Sequence, residues 1–122
     1  MHVAGMSPIS PFIGKWRIEH MDVWGQDFVD LVTEGHFTFE RDGTGMFEFG
    51  AVTGDIDWKT DDKKNKDRLH FSWLGDDDGE EKGGRGWAEI SENGIKGCIY
   101  FHRGDHSLFK ARRVPKPRRG AR

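Results

Sequence analysis

Residue types that serve in hydrolase and metal sites occur together near the C-terminal end of the chain. His102, Asp105, His106 and Ser107 lie within six residues, and a histidine, a carboxylate and a hydroxyl are the components of a Ser-His-Asp arrangement. That arrangement depends on spatial geometry, which close neighbours on one turn and strand seldom present. We therefore expect Asp105 or Ser107 to bond the backbone of the turn. We expect no metal, because neither a nearby cysteine nor a helical His-x-x-x-His spacing accompanies the histidines.

A second hydrolytic arrangement would combine His102 with Asp27 or Asp30. The two carboxylates are three residues apart on a candidate helix, and paired acids can do acid-base chemistry when burial separates their pKa values. The polar face of a solvent-exposed helix explains the same spacing. A small hydrolase therefore ranks third among the functions that the sequence leaves open.

Aromatic side chains make up much of the apolar content. The chain has nine Phe and five Trp but only 34% hydrophobic residues, so a few large rings must supply the core. Rings at alternate positions of successive strands point to one face of a sheet. Eight of them are predicted to line a ligand pocket or to fill the interior completely: Trp24, Phe28, Phe37, Phe47, Phe49, Trp58, Phe71 and Trp73.

The segments that must position these rings are short and separated by turns. Alternation predicts eight strands, over 12–21, 35–41, 45–52, 55–60, 68–75, 85–91, 95–102 and 106–114. Asp42-Gly43 and Asn93-Gly94 are strong hairpin turns. A short helix over 22–32, capped by Asp22, and solvated loops over 61–67 and 76–84 complete the prediction.

At 122 residues the chain fits one domain. We predict an irregular arm over 1–11, a β-barrel over 12–114 and a disordered basic tail over 115–122. Residues 110–122 contain seven Lys or Arg and no acid, whereas the rest of the chain is acidic. Because no aromatic stacking platform accompanies the arginines, nucleic acid is disfavoured as a partner.

The lone Cys98 cannot form an internal disulfide, and no secretory signal pattern opens the chain, so we expect a cytoplasmic protein. No run approaches the roughly 20 apolar residues of a membrane-spanning helix. We expect neither a membrane partner nor a cofactor.

Gly14-x-Trp16 on the first strand, eight antiparallel strands and an Arg on the last strand resemble the calycin group of lipocalins, fatty-acid-binding proteins and avidins. The resemblance implies an all-β, single eight-stranded antiparallel up-and-down barrel with a short helix between strands 1 and 2. It also implies that Trp16 closes one end and that Arg112 or Arg113 packs over its indole. The alternation of Phe109 and Ala111 favours Arg113.

Two further segments, Trp24 to Leu31 and Phe101 to Phe109, are similar to segments of a group of small bacterial proteins without an assigned activity. The secreted lipocalins' disulfide and the biotin-binding residues of avidins have no counterpart here, so neither extracellular transport nor biotin binding is implied.

The favoured function is non-catalytic binding of a small, partly apolar ligand inside the barrel. The alternative is a filled barrel that acts as a protein interaction module and forms a homodimer. Trp87, Tyr100 and Leu108, which point outward on the predicted strands, would then supply the exposed patch.

Overall fold

A computed structural model describes residues 10–60 and 68–115. Within them the chain forms eight strands and one short helix, which are β1 (Gly14–Met21), α1 (Gln26–Val29), β2 (His36–Phe39), β3 (Thr44–Phe49), β4 (Val52–Thr60), β5 (Arg68–Asp77), β6 (Glu80–Ser91), β7 (Gly94–Phe101) and β8 (His106–Arg113). Each strand pairs antiparallel with the next, and β8 pairs with β1 to close the barrel. The predicted all-β, eight-stranded antiparallel barrel is confirmed, and it is consistent with a calycin-like fold.

The interior follows from alternation along each strand. On β5, for example, Leu69, Phe71 and Trp73 point inward and are buried, while His70 and Ser72 point outward and are exposed. A period of two places alternate side chains on opposite faces of a sheet. The core therefore lies along the barrel axis, and ten of its twenty buried residues are aromatic.

Inward glycines make room for these rings. Large rings lie directly opposite glycines of the neighbouring strand in the pairs Phe39 and Gly45, Phe47 and Gly54, Phe71 and Gly86, Trp73 and Gly84, and Phe109 and Gly97. A Cβ atom at Gly54 would lie 2.6 Å from Cζ of Phe47 and 2.9 Å from Cε3 of Trp73. At Gly54, Gly84, Gly86 and Gly97 a Cβ atom would lie within 3.0 Å of a ring atom, so glycine leaves space for the aromatic rings there.

Arg113 packs over Trp16 where the last strand pairs with the first. The indole of Trp16 is buried, and its N–H donates a hydrogen bond to the carbonyl of Phe12 at 2.9 Å. The Arg113 guanidinium lies 4.3 Å from the centroid of the Trp16 ring and donates hydrogen bonds to the carbonyls of Ile13 and Pro11. These contacts fasten the chain before β1 to the last strand.

The helix between β1 and β2 is present but shorter than predicted, and Asp22 does not cap it. The backbone N–H of Asp22 donates to the carbonyl of Leu108 at 3.1 Å, so the pairing of β1 with β8 continues through this residue. Gly25 is the N-cap and makes no side-chain capping bond. The predicted start of the helix at Asp22 was wrong because pairing with β8 competes with the helical spacing at the end of β1.

The prediction of a loop over 76–84 is also wrong. Asp76 and Asp77 extend β5 and pair with Glu81 and Glu80 of β6, and the reversal is confined to Asp78-Gly79. Both turn residues have positive φ, 54° and 91°, as a tight hairpin requires. The charged residues of this hairpin remain in contact with solvent, since residues 78–81 are exposed. The predicted loop over 61–67 lies outside the described residues, as do 1–9 of the arm and 116–122 of the tail.

No helix in the described ranges has the length and apolarity needed to cross a membrane.

Candidate functional site at the barrel mouth

The end of the barrel opposite Trp16 is covered by two aromatic side chains from the connection between β1 and β2. Trp24 is half-buried, and its ring centroid lies 5.1 Å from that of Phe49, 5.8 Å from Phe101 and 6.2 Å from Phe28. Phe28 lies over Gly50, which has a φ of +57°, and a Cβ atom there would collide with the ring. Glycine is required at this turn by both the backbone conformation and the close approach.

Buried polar contacts hold this cover in place. The Ser107 side chain is 1% exposed, and its hydroxyl accepts a hydrogen bond from the Val23 N–H at 3.1 Å and donates to the Leu108 carbonyl at 2.9 Å. Gln26 of α1 donates its amide N–H to the carbonyl of Ile18 at 3.0 Å. The segment on either side of Trp24 is therefore tied to both β1 and β8.

Asp30 fastens the C-terminal end of α1 to the outside of β1. Its carboxylate accepts hydrogen bonds from the Gly35 N–H at 2.8 Å and from Gln26 at 3.1 Å, and it pairs with the Arg17 guanidinium at 3.1 Å. Burial acts to raise the pKa of Asp30, but the two hydrogen bonds and the Arg17 charge outweigh it, so the pKa lies below its ordinary value. Asp30 is ionised at neutral pH.

A cavity of about 200 Å³ lies at this mouth, beside Trp24 and Phe28. Its apolar wall is formed by Trp24, Phe28, Val52 and Phe101, and its polar wall by Asp77, Lys82, His102, Arg103, Gly104 and Asp105. An apolar wall that faces a wall of charged and polar groups can hold a small, partly apolar molecule.

Residues 102–105 of the polar wall form a hydrogen-bonded turn. The Phe101 N–H donates to the Asp105 carbonyl at 2.9 Å, and the His102 N–H donates to the Gly83 carbonyl at 2.7 Å. Arg103 has a positive φ of 58°, which few residues other than glycine adopt. The turn therefore keeps His102 and Asp105 at the rim of the cavity.

The predicted ligand-lining residues divide into two groups. Trp24 and Phe28 line the mouth cavity. The other six are buried and contact one another or further rings, with centroid distances such as 4.6 Å between Phe37 and Phe109 and 4.9 Å between Phe47 and Trp73. These six are Phe37, Phe47, Phe49, Trp58, Phe71 and Trp73. Ring-to-ring contact along the axis favours a filled interior.

The hydrolytic arrangement is not assembled in the described residues. Asp30 is bound to Arg17, Gln26 and Gly35, and the Asp27 carboxylate accepts a hydrogen bond from the Phe28 N–H at 3.0 Å. Neither carboxylate lines the mouth cavity with His102. The Ser107 hydroxyl bonds the Val23 N–H and the Leu108 carbonyl, not a backbone group of the 102–105 turn as expected.

The outward residues of the alternative interface lie on the outer faces of β6, β7 and β8. Leu108 is 51% exposed. The Arg68 guanidinium covers Trp87 at 4.3 Å, and Tyr100 packs between Arg85 and His106, each at 5.4 Å. A guanidinium group thus lies against each of these two rings.

Sequence reasoning missed six residues of the mouth cavity, which are Val52, Asp77, Lys82, Phe101, Arg103 and Gly104. Phe101 is in phase with Ile95 and Ile99, and that signal could have identified it as inward-facing. Lys82 was hidden by the incorrect loop over 76–84. Among the described residues no group of three or more His, Cys, Asp or Glu side chains could hold a metal ion.

Comparison with known proteins finds no matching family model, no matching curated protein and no matching solved structure.

Proposed function

We propose that the chain is a non-catalytic binding protein of the calycin type, which takes a small, partly apolar molecule at the barrel mouth. The observation that supports this proposal is the cavity of about 200 Å³ between Trp24, Phe28 and Phe101 on one side and the 102–105 turn on the other. The proposed site differs from the interior pocket that the sequence favoured. The mouth is preferred because the deeper rings contact one another along the barrel axis.

The size of the cavity limits the ligand. Sites for drug-sized molecules measure about 300 to 1,000 Å³, so a single aromatic ring with one polar substituent suits the mouth better than a fatty acid does. Lys82 and Arg103 supply positive charge to the polar wall, while Asp77 and Asp105 supply negative charge. The charge of the substituent then decides where it lies along that wall.

The lone Cys98 supports a cytoplasmic location, since stable disulfides mark oxidising compartments. The segments Trp24 to Leu31 and Phe101 to Phe109 support membership of the bacterial group that they resemble. These same two segments supply the cover and the turn of the mouth, so the shared pattern coincides with the proposed site.

The test uses three probes of one ring that differ in charge, namely benzoate, benzylamine and benzyl alcohol. The chain has five Trp, so each probe is titrated while the five indole N–H signals are followed by NMR. We expect the Trp24 signal to move in a saturable way with at least one probe. The Trp87 signal, on the outer face beneath Arg68, is the internal control and should stay in place.

Two results would contradict the proposal. The first is that no probe moves the Trp24 signal up to millimolar concentration. The second is that the signals of Trp58 or Trp73 move and that of Trp24 does not, which would place the ligand among the deep rings. A Trp24→Ala variant that retains its fold but binds the probes as tightly as the wild type would also exclude the mouth.

A further inference from the structure

The outer surface of β4 to β7 carries a groove that adjoins the mouth cavity and shares Lys82, Phe101, His102 and Arg103 with it. The groove encloses about 1240 Å³, and its outward side chains include Asp55, Asp57, Ser72, Leu74, Arg85 and Tyr100. Gly83 contributes no side chain, and Leu74 of the neighbouring strand lies close to it, since a Cβ atom at Gly83 would be 2.9 Å from Cδ2 of Leu74.

Strand register orders these side chains in two rows across the sheet. Asp57, Ser72 and Arg85 lie side by side on β4, β5 and β6, and Asp55, Leu74 and Gly83 form the next row. Neighbouring strands are about 4.8 Å apart, so the backbones of Asp57 and Arg85 are separated by roughly 9.6 Å. The acids therefore stand on one side of β5 and the arginine on the other.

The charges on this face are not neutralised within the fold. In residues 10–60 and 68–115, none of Asp55, Asp57 and Arg85 forms an ion pair, although Arg85 contacts the Tyr100 ring at 5.4 Å. Leu74 lies between the two walls and is 74% exposed, the largest exposed fraction among the large hydrophobic residues of these ranges. An apolar centre between opposite charges is an arrangement typical of an interface.

We propose that this face binds a second copy of the chain through a two-fold axis that lies in the interface, parallel to β5. Such an axis exchanges the two sides of β5, so Asp57 of each copy meets Arg85 of the partner subunit. Leu74 then meets Leu74 of the partner subunit at the centre. A surface with an acidic wall, an apolar centre and a basic wall is complementary to itself under this rotation, which is the condition for a closed dimer.

The experiment is sedimentation of the full chain at several concentrations and two salt concentrations. The wild type should form dimers, and the dissociation constant should rise with salt because exposed charges are screened. Asp57→Arg and Arg85→Asp should each weaken the dimer by more than about tenfold, since like charges then face one another at both contacts. Leu108→Asp, which changes an exposed apolar residue of β8, is the matched control and should leave the dissociation constant unchanged.

Mixing the two charge variants gives the decisive result. Each variant repels itself, but a mixed pair brings opposite charges together at both contacts, so equimolar mixing should restore a dimer. Recovery on mixing also shows that both variants are folded. A monomeric wild type, wild-type dimers that survive both charge reversals, dimers lost on Leu108→Asp, or a mixture that stays monomeric would overturn the proposal.

Discussion

The guanidinium of Arg113 stacks on the indole of Trp16, 4.3 Å from the ring centroid, at the point where the last strand pairs with the first. The same guanidinium donates hydrogen bonds to the carbonyls of Ile13 and Pro11. Arg113→Ala removes the stack and both hydrogen bonds. We expect it to lower the free energy of unfolding by about 1–2 kcal/mol, measured by chemical denaturation.

Arg112→Ala is the control for this prediction. Arg112 is adjacent in sequence but faces outward, where it pairs with Glu19 at 2.9 Å. An exposed pair of this kind contributes little, so the loss should be below about 1 kcal/mol. If both variants lost the same free energy of unfolding, the stack of Arg113 on Trp16 would make no specific contribution to stability.

The inward glycines are expected to be intolerant of even one methyl group. A Cβ atom at Gly86 would lie 2.6 Å from the backbone oxygen of Cys98 and 2.7 Å from Cε2 of Phe71. Gly86→Ala should therefore destabilise the protein by about 1–3 kcal/mol through overpacking, as thermal or chemical unfolding would measure.

Gly83→Ala on the same strand is the matched control, because its Cβ would meet mainly the exposed end of Leu74, at 2.9 Å. That side chain can move away, so the destabilisation should be smaller than in Gly86→Ala. A Gly83→Ala loss as large as that of Gly86→Ala would contradict the packing argument.

Ser107→Ala is expected to loosen the cover of the mouth. The change leaves the Val23 N–H without the hydroxyl that accepts its hydrogen bond, at a cost of about 1–2 kcal/mol. Hydrogen exchange of the Val23 amide should become faster than in the wild type. Ser72→Ala, on the exposed outer face of β5, should leave that exchange rate unchanged. Unaltered exchange in Ser107→Ala would show that this hydrogen bond does not hold the segment.

Asp30 predicts a specific dependence of stability on pH. Because its pKa is lower in the folded state than in the unfolded state, ionised Asp30 stabilises the fold above about pH 4, and this contribution disappears as the pH falls through the folded-state pKa. Asp30→Asn should therefore be less stable than the wild type at pH 7, and the difference should shrink below pH 4. Asp27→Asn, on the exposed side of α1, is the control; a pH-independent gap for Asp30→Asn would refute the assignment.

Cys98 should react slowly with thiol reagents in the native protein. The side chain is 2% exposed although it lies on the outward side of β7, and burial raises the pKa of its thiol. Little thiolate is then present at neutral pH, and access is blocked. Ellman's reagent should label Cys98 only after unfolding, and labelling of the native and unfolded protein at the same rate would exclude this environment.

Local patterns were sufficient to predict the barrel. Alternation identified the inward faces of β5 and β8, and the Asp42-Gly43 and Asn93-Gly94 turns were placed where hairpins occur. The glycines inside strands were misleading, since the prediction placed Gly54 and Gly84 outside the strands. Their actual role, which is to accept a ring from the neighbouring strand, depends on register, and register cannot be read from one segment alone.

The candidate site was harder to predict for a related reason. Trp24 and Phe28 were identified, but Val52, the pair Asp77 and Lys82, and the segment 101–105 come from three other parts of the chain that meet only after the barrel closes. Likewise, Asp57 and Arg85 are far apart in sequence and become neighbours across β5 only through strand order. Sequence spacing carries no information about such non-local contacts.

Because β8 pairs with β1, the barrel can close only after the last strand has been synthesised. The hairpins from β2 to β7 join segments that leave the ribosome one after another, whereas β1 acquires its second neighbour only when β8 has been made. Until then a nascent chain exposes the free edges of β1 and β7, which could pair with other chains. Protection of the newly made protein from aggregation therefore depends on the strand that carries Arg113.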